Sequence, residues 1–137
     1  MLRLYKPKKK VNPAKILIVD DNPDLVEIIQ HRLNPYGWKV ITSINGKEGI
    51  EKAAKEKPDL IVLDINMPIM NGHDMLYCLR KDPDLKGTPV IMCTVSNQIK
   101  DITRASSFNI SDYFTKPFNS SELAEKIREV LENRAPI

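Results

Sequence analysis

The sequence predicts an α/β fold, a (βα)5 doubly wound arrangement in which a parallel five-stranded sheet is covered by helices on both faces. Short apolar runs rich in β-formers alternate with segments of helical periodicity, and such alternation requires right-handed crossovers between parallel strands. The run Leu60-Ile61-Val62-Leu63, set between Asp59 and Asp64, is too short for a helix and suits a strand buried on both faces. No internal repeat or second hydrophobic core is visible. At 137 residues the chain suits one domain, large enough to bury roughly two-thirds of its unfolded surface.

The elements follow in order. Residues 1–14 carry Pro7 and Pro13 and no periodicity, and read as a basic N-terminal extension that is partly disordered. Ile16 to Val19 is the first strand, ending at Asp20-Asp21. Asn22-Pro23 then reads as an N-cap and first helical residue, opening a helix that buries Leu25, Ile28, Ile29 and Leu33 and stops at Asn34-Pro35-Tyr36-Gly37. Trp38 to Ser43 is the second strand. Asn45 with Glu48 resembles a capping box for a helix through Ile50, Ala53 and Ala54 to Lys57, which Pro58 ends.

The third strand ends at Asp64. A loop over 67–72 precedes a helix over 73–81 built on Leu76 and Leu79, and Pro89 to Thr94 is the fourth strand. Residues 97–107 present only Ile99, Ile102 and Ala105 as an apolar stripe, which predicts the least firmly packed helix. Ser111 to Thr115 is the last strand. Asn119 and Glu122 cap a final helix with the stripe Leu123, Ile127, Val130 and Leu131, and residues 134–137 form a tail.

Composition narrows the class. No apolar run approaches the roughly 20 residues of a bilayer span, and the first residues lack the core of a signal peptide, so the expectation is a soluble cytoplasmic protein. Cys78 and Cys93 fall inside elements and read as reduced core thiols. The net charge of +3 is uneven: residues 1–10 hold five of the 21 basic side chains, leaving 16 against 18 acidic ones. That mildly acidic body argues against direct nucleic-acid binding, and the arm reads as a solvated tail.

All strand carboxyl ends of a parallel sheet share one edge, where open α/β sheets place their ligands. Asp20, Asp21, Asp64, Thr94 and Lys116 can therefore converge although distant in sequence. Three carboxylates in one crevice repel, and a divalent cation accepting their oxygens removes the difficulty. Hard oxygen ligands with room for water suit Mg²⁺. The lysine supplies a point charge and the threonine a hydroxyl donor, the contacts a phosphoryl group needs. Taken singly, each residue also has a plainer reading. Asp20 and Asp21 could favour a helix N-terminus, Asp64 could be satisfied by loop N–H groups, Thr94 could be an ordinary strand end and Lys116 a solvated lysine. Their joint placement outweighs those readings, and His31 and His73 stand outside the set.

Residues 15–133 resemble a receiver domain of the two-component response-regulator family. The resemblance rests on Ile16-Leu17-Ile18-Val19-Asp20-Asp21, on Asp64-Ile65-Asn66-Met67-Pro68-Ile69-Met70-Asn71-Gly72, on Thr94, and on Tyr113-Phe114-Thr115-Lys116-Pro117-Phe118. It implies a flavodoxin-like strand order of 2-1-3-4-5. It also implies a signalling module in which Asp64 accepts a phosphoryl group from a sensor histidine kinase or histidine phosphotransfer protein. Asp21 would hold Mg²⁺ directly, Asp20 mainly through water, and the Asn66 backbone carbonyl would be a further ligand. Lys116 would pair with the phosphoryl group and precede Pro117 in a cis peptide. Thr94 and Tyr113 would be the switch that reshapes the predicted fourth helix, the last strand and the last helix for a downstream protein partner.

Two positions depart from the family pattern. Val95 replaces the usual small residue after the threonine and bears on access to Asp64. Asn109-Ile110 replaces a Gly-Ala pair, and asparagine is the next-best residue for a left-handed turn. A phosphohydrolase with an aspartate nucleophile is a different class, but its second aspartate would fall at Asn66, which leaves no evident acid or base. The four residues given after Asn133 are too few for an output domain, so the expectation is a stand-alone receiver or the N-terminal piece of a longer, for example transcriptional, regulator.

Overall fold

A computed structural model of the protein describes residues 13–95 and 109–133. The predicted helix over 97–107, the tail and all but the end of the N-terminal extension lie outside the described residues. The elements are β1 (Lys15–Val19), α1 (Pro23–Leu33), a 3₁₀ turn (Asn34–Tyr36), β2 (Lys39–Ser43), α2 (Gly46–Glu56), β3 (Leu60–Leu63), α3 (Gly72–Lys81), β4 (Val90–Thr94), β5 (Asp112–Thr115) and a C-terminal helix (Ser120–Glu132). The strands form one sheet in the order β2-β1-β3-β4-β5, and every pairing is parallel.

Because successive strand residues face opposite sides, each central strand feeds two layers of the one domain's core, one on each face of the sheet. Leu17, Val19, Ile61, Leu63 and Met92 pack against Ala53, Met75, Leu76 and Leu79 of α2 and α3. Ile16, Ile18, Leu60, Val62, Ile91 and Cys93 pack against Ile29 and Leu33 of α1 and Leu123, Ala124 and Ile127 of the C-terminal helix. Each fully buried Leu or Ile side chain contributes about 1.5–3 kcal/mol relative to an exposed one, so the sheet is held from both faces.

The helix starts are fixed by side chains. Asn22, Asn45, Asn71 and Asn119 each turn Oδ1 onto N–H groups of the following first turn, satisfying donors that an isolated helix leaves orphaned. Of the capping box at Asn45, the Asn45-to-Glu48 half is present, while the Glu48 carboxylate pairs with Lys52 at 3.1 Å. Left-handed backbone closes the turns at Gly37 (φ 76°), Lys57 (φ 48°) and Asn109 (φ 60°).

Three sequence expectations about burial are corrected. Ile28 is 55% exposed, because α1 turns Leu25, Val26, Ile29 and Leu33 to the sheet and leaves Ile28 on its flank. Ala54 is exposed as well. The inner face of α2 is made instead by Gly46, Gly49 and Ala53, with Gly49 so close to Met75 that a Cβ there would lie 2.8 Å from its sulfur. Finally, Cys78 is only half-buried, whereas Cys93 is buried; both are free thiols.

Candidate functional site

Backbone hydrogen bonds carry the strand ladders one residue past the strand ends and thereby place the site. The Asp20 N–H donates to Ser43 O at 3.0 Å, the Asp64 N–H to Val19 O at 2.9 Å and the Lys116 N–H to Thr94 O at 2.7 Å. Asp20, Asp64, Thr94 and Lys116 are consequently held in lateral register at one edge rather than carried on free loops. Asp20 and Asp64 are each 4% exposed and Thr94 is fully buried, whereas Asp21 faces solvent.

Lys116 lies between the two buried carboxylates, its Nζ 2.8 Å from Asp20 and 3.5 Å from Asp64. Its charge is opposed by burial, but the hydrogen bond to Asp20 and the nearby Asp64 outweigh that and raise its pKa. Asp64 is pushed up to about 6, chiefly by burial and secondly by the Asp20 charge; Lys116 and the Asn66 backbone N–H work against the shift. A carboxylate disfavoured in its charged form gains from any added positive charge. Asp20, Asp21 and Asp64 can bring one oxygen each within 4.8 Å of one another, a hard-donor set that fits a receiver metal site.

The loop after β3 is tightly tied. Gly72 N–H donates to Ile65 O at 2.8 Å, and a Cβ on Gly72 would lie 2.1 Å from the Asp64 carbonyl oxygen. Gly46 N–H donates to Met70 O at 3.0 Å, and a Cβ on Gly46 would lie 2.6 Å from that oxygen. Between these ties, Met70 N–H donates to Pro68 O at 2.7 Å, a γ-turn centred on Ile69, whose φ is 69°. A β-branched residue at positive φ is strained, and Ile69 is also 79% exposed.

Of the remaining sequence candidates, Asn66 sits at the loop start and donates from Nδ2 to Thr94 Oγ1 at 3.3 Å. Tyr113 is partly buried against the α2/α3 core, and the Lys116–Pro117 peptide is cis. Val95 is 65% exposed. With Leu25, Ile28, Pro117 and Phe118 it lines an open cleft of about 330 Å³ that reaches Lys116. His31 is exposed, and His73 is buried at the start of α3. Gly46, Gly72 and the contact of the Asn66 side chain with Thr94 are the features of the site that the sequence did not indicate. A glycine ending the Met70-Asn71-Gly72 run and another opening α2 were the available signals for the first two.

The family model for the response regulator receiver domain matches residues 16–128. Among curated proteins, the chain is 39% identical to the probable transcriptional regulator ycf27 of Pyropia yezoensis over 117 residues, which is 85% of this chain and 47% of that protein. It is 34% identical to the probable transcriptional regulatory protein TcrX of Mycobacterium tuberculosis, over 87% of this chain and 50% of that one. The chain thus spans about half the length of these curated relatives. Among solved structures, chemotaxis protein CheY4 of Vibrio cholerae superposes with a TM-score of 0.81 at 30% identity, covering 87% of this chain and 99% of that one. A CheY-like receiver domain protein from Methanospirillum hungatei gives 0.83 at 29% identity, covering 88% and 95%.

Fold and site together define a phospho-accepting signalling module rather than a turnover enzyme. The chain belongs to the response regulator receiver domain family, with the CheY-like flavodoxin fold. Such a domain implies a histidine kinase as its partner. Among the described residues, no helix is long and apolar enough to cross a membrane.

Proposed function

We propose that Asp64 is the phosphoacceptor and that residues 15–133 act as a phosphorylation-driven switch, with residues 1–14 and 134–137 as appendages. The observation that carries the reading is Lys116, held between buried Asp20 and Asp64 by a 2.8 Å ion pair beside buried Thr94. In the transfer, an Asp64 carboxylate oxygen attacks the phosphorus of a phosphohistidine on a histidine kinase or phosphotransfer protein. The N–P bond breaks as the O–P bond forms, and the departing imidazole nitrogen keeps the electron pair and takes up a proton. Lys116 faces the incoming negative charge without reorganising, because its ammonium already points at the Asp64 carboxylate.

Asp20, Asp21, Asp64 and the Asn66 backbone carbonyl would hold a divalent cation, which we assign as Mg²⁺. When bound, it supplies positive charge that neutralises the phosphoryl oxygens and the crowded carboxylates. The aspartyl phosphate carries about −1.5 to −2 charge at the edge in place of the single charge of the carboxylate. Thr94 then turns its hydroxyl toward the phosphoryl oxygens, Tyr113 follows inward, and the face containing β5 and the C-terminal helix takes the downstream protein partner. The half-length match to transcriptional regulators supports a receiver that serves a longer regulator, and the full-length match to CheY4 supports one that acts alone. Both use the same chemistry at Asp64.

The test is incubation with Mg²⁺ and a small acyl-phosphate donor. The expected result is an acid-stable, base-labile adduct on the wild-type protein that Asp64→Asn does not form. An equal adduct on the variant would overturn the assignment.

A further inference from the structure

Asn66 touches both halves of the switch at once. Its backbone N–H hydrogen-bonds the Asp64 carboxylate, and its side-chain Nδ2 donates to Thr94 Oγ1 at 3.3 Å. The two groups it joins are buried, whereas Asn66 itself is exposed at the start of the loop. Thr94 is anchored on its other side as well, since its carbonyl accepts the Lys116 N–H at 2.7 Å. The backbone of Thr94 is therefore tied, and any turning of its hydroxyl is a rotation of the side chain. For the Asn66 amide to oppose that rotation, turning the hydroxyl toward a phosphoryl oxygen on Asp64 must draw Oγ1 out of reach of the amide.

From this we infer that the Asn66 side chain is a latch on Thr94, a positioning residue that biases the unphosphorylated protein toward its resting arrangement. The inference rests on the reading of Asp64 as phosphoacceptor. A long bond from a solvent-exposed amide is a weak one, which is what a reversible latch requires: it opposes switching without preventing it. Because the latch is made by the side chain and the contact with Asp64 by the backbone, the two are separable by mutation. Asn66→Ala removes the first and keeps the second.

The experiment is a double-mutant cycle read by equilibrium affinity for beryllofluoride at saturating Mg²⁺, with Mg²⁺ affinity measured separately. Releasing one weak hydrogen bond from the resting state should tighten beryllofluoride binding by about two- to fivefold in Asn66→Ala, and the Thr94→Ser background, which keeps the hydroxyl, should respond similarly. In the Thr94→Val background, Asn66→Ala should have no effect. An unchanged or weakened affinity in Asn66→Ala would overturn the latch, as would an equal gain with Thr94→Val. So would a change in Mg²⁺ affinity that accounts for the whole gain. Failure of the wild-type protein to bind beryllofluoride at all would instead overturn the assignment of Asp64 on which the latch depends.

Discussion

Replacing Asp64 by asparagine should make the metal-free protein more stable, by an amount that depends on pH. Burial and the Asp20 charge raise the Asp64 carboxyl from 3.8 to about 6 in the folded chain. In the unfolded chain it returns to the ordinary value, so the folded state binds the proton more tightly. The favourable contribution of the protonated group is complete below pH 3.8 and is lost as pH rises toward 6. Above that, holding the charged form in the fold costs at most about 3 kcal/mol, from about 1.4 kcal/mol per tenfold change in proton affinity. Asp64→Asn should therefore gain up to about 3 kcal/mol in urea denaturation with chelator present at pH 7.5, shrinking to about 1 kcal/mol at pH 4.5. Millimolar Mg²⁺ should narrow the difference at pH 7.5 by stabilising the wild-type protein. A variant no more stable than wild type at pH 7.5, or a gain that does not fall with pH, would refute the electrostatic account of this site.

Other outcomes test the surrounding scaffold. Lys116→Met removes the cation between Asp20 and Asp64 and should cost about 3–5 kcal/mol at neutral pH. Part of that loss should return as pH is lowered from 7 to 5 and the Asp64 carboxyl protonates, as followed by thermal unfolding. Gly72→Ala would drive a Cβ to 2.1 Å from the Asp64 carbonyl oxygen; it should destabilise by about 3 kcal/mol, the upper end for overpacking, and slow phosphorylation by acyl phosphate. Ile69→Gly should be stabilising by about 0.5–1 kcal/mol in a urea melt, because it relieves positive-φ strain at an exposed position where almost no packing is lost.

The alternation of strands and helices, and with it the parallel direction of the strands, was legible because short apolar runs and helix caps are local signals, whereas the order 2-1-3-4-5 came with the family resemblance. Asn22-Pro23, Asn45, Asn71 and Asn119 all mark helix starts; the first, second and last read as caps from the sequence, whereas Asn71 reads there as part of a loop. Ile28 misled because an apolar residue on a helix flank satisfies the same spacing as one on its inner face. The inner face of α2 misled in the opposite sense: hydrophobicity points to Ala54, whereas the close approach of Met70 in the loop after β3 and of Met75 in α3 requires the absent side chains of Gly46 and Gly49. At the site, convergence on one edge followed from parallel topology alone. The pairing of Lys116 with Asp20 and of Asn66 with Thr94 did not, since loop side chains have no period and their directions depend on three-dimensional neighbours.

The split core has one more consequence. On β5, the adjacent residues Tyr113 and Phe114 belong to different layers, Tyr113 to the α2/α3 side and Phe114 to the side of α1 and the C-terminal helix. An edge strand of four residues thus carries one foot on each side of a partition made by the sheet. A substitution at Tyr113 would therefore be met first in the α2/α3 compartment, while Phe114 stays edge-on to Phe118 at 5.9 Å in the other. The sheet works as a partition: neighbouring residues of one short edge strand answer to separate packings, so a repacking on one side is not passed directly to the other.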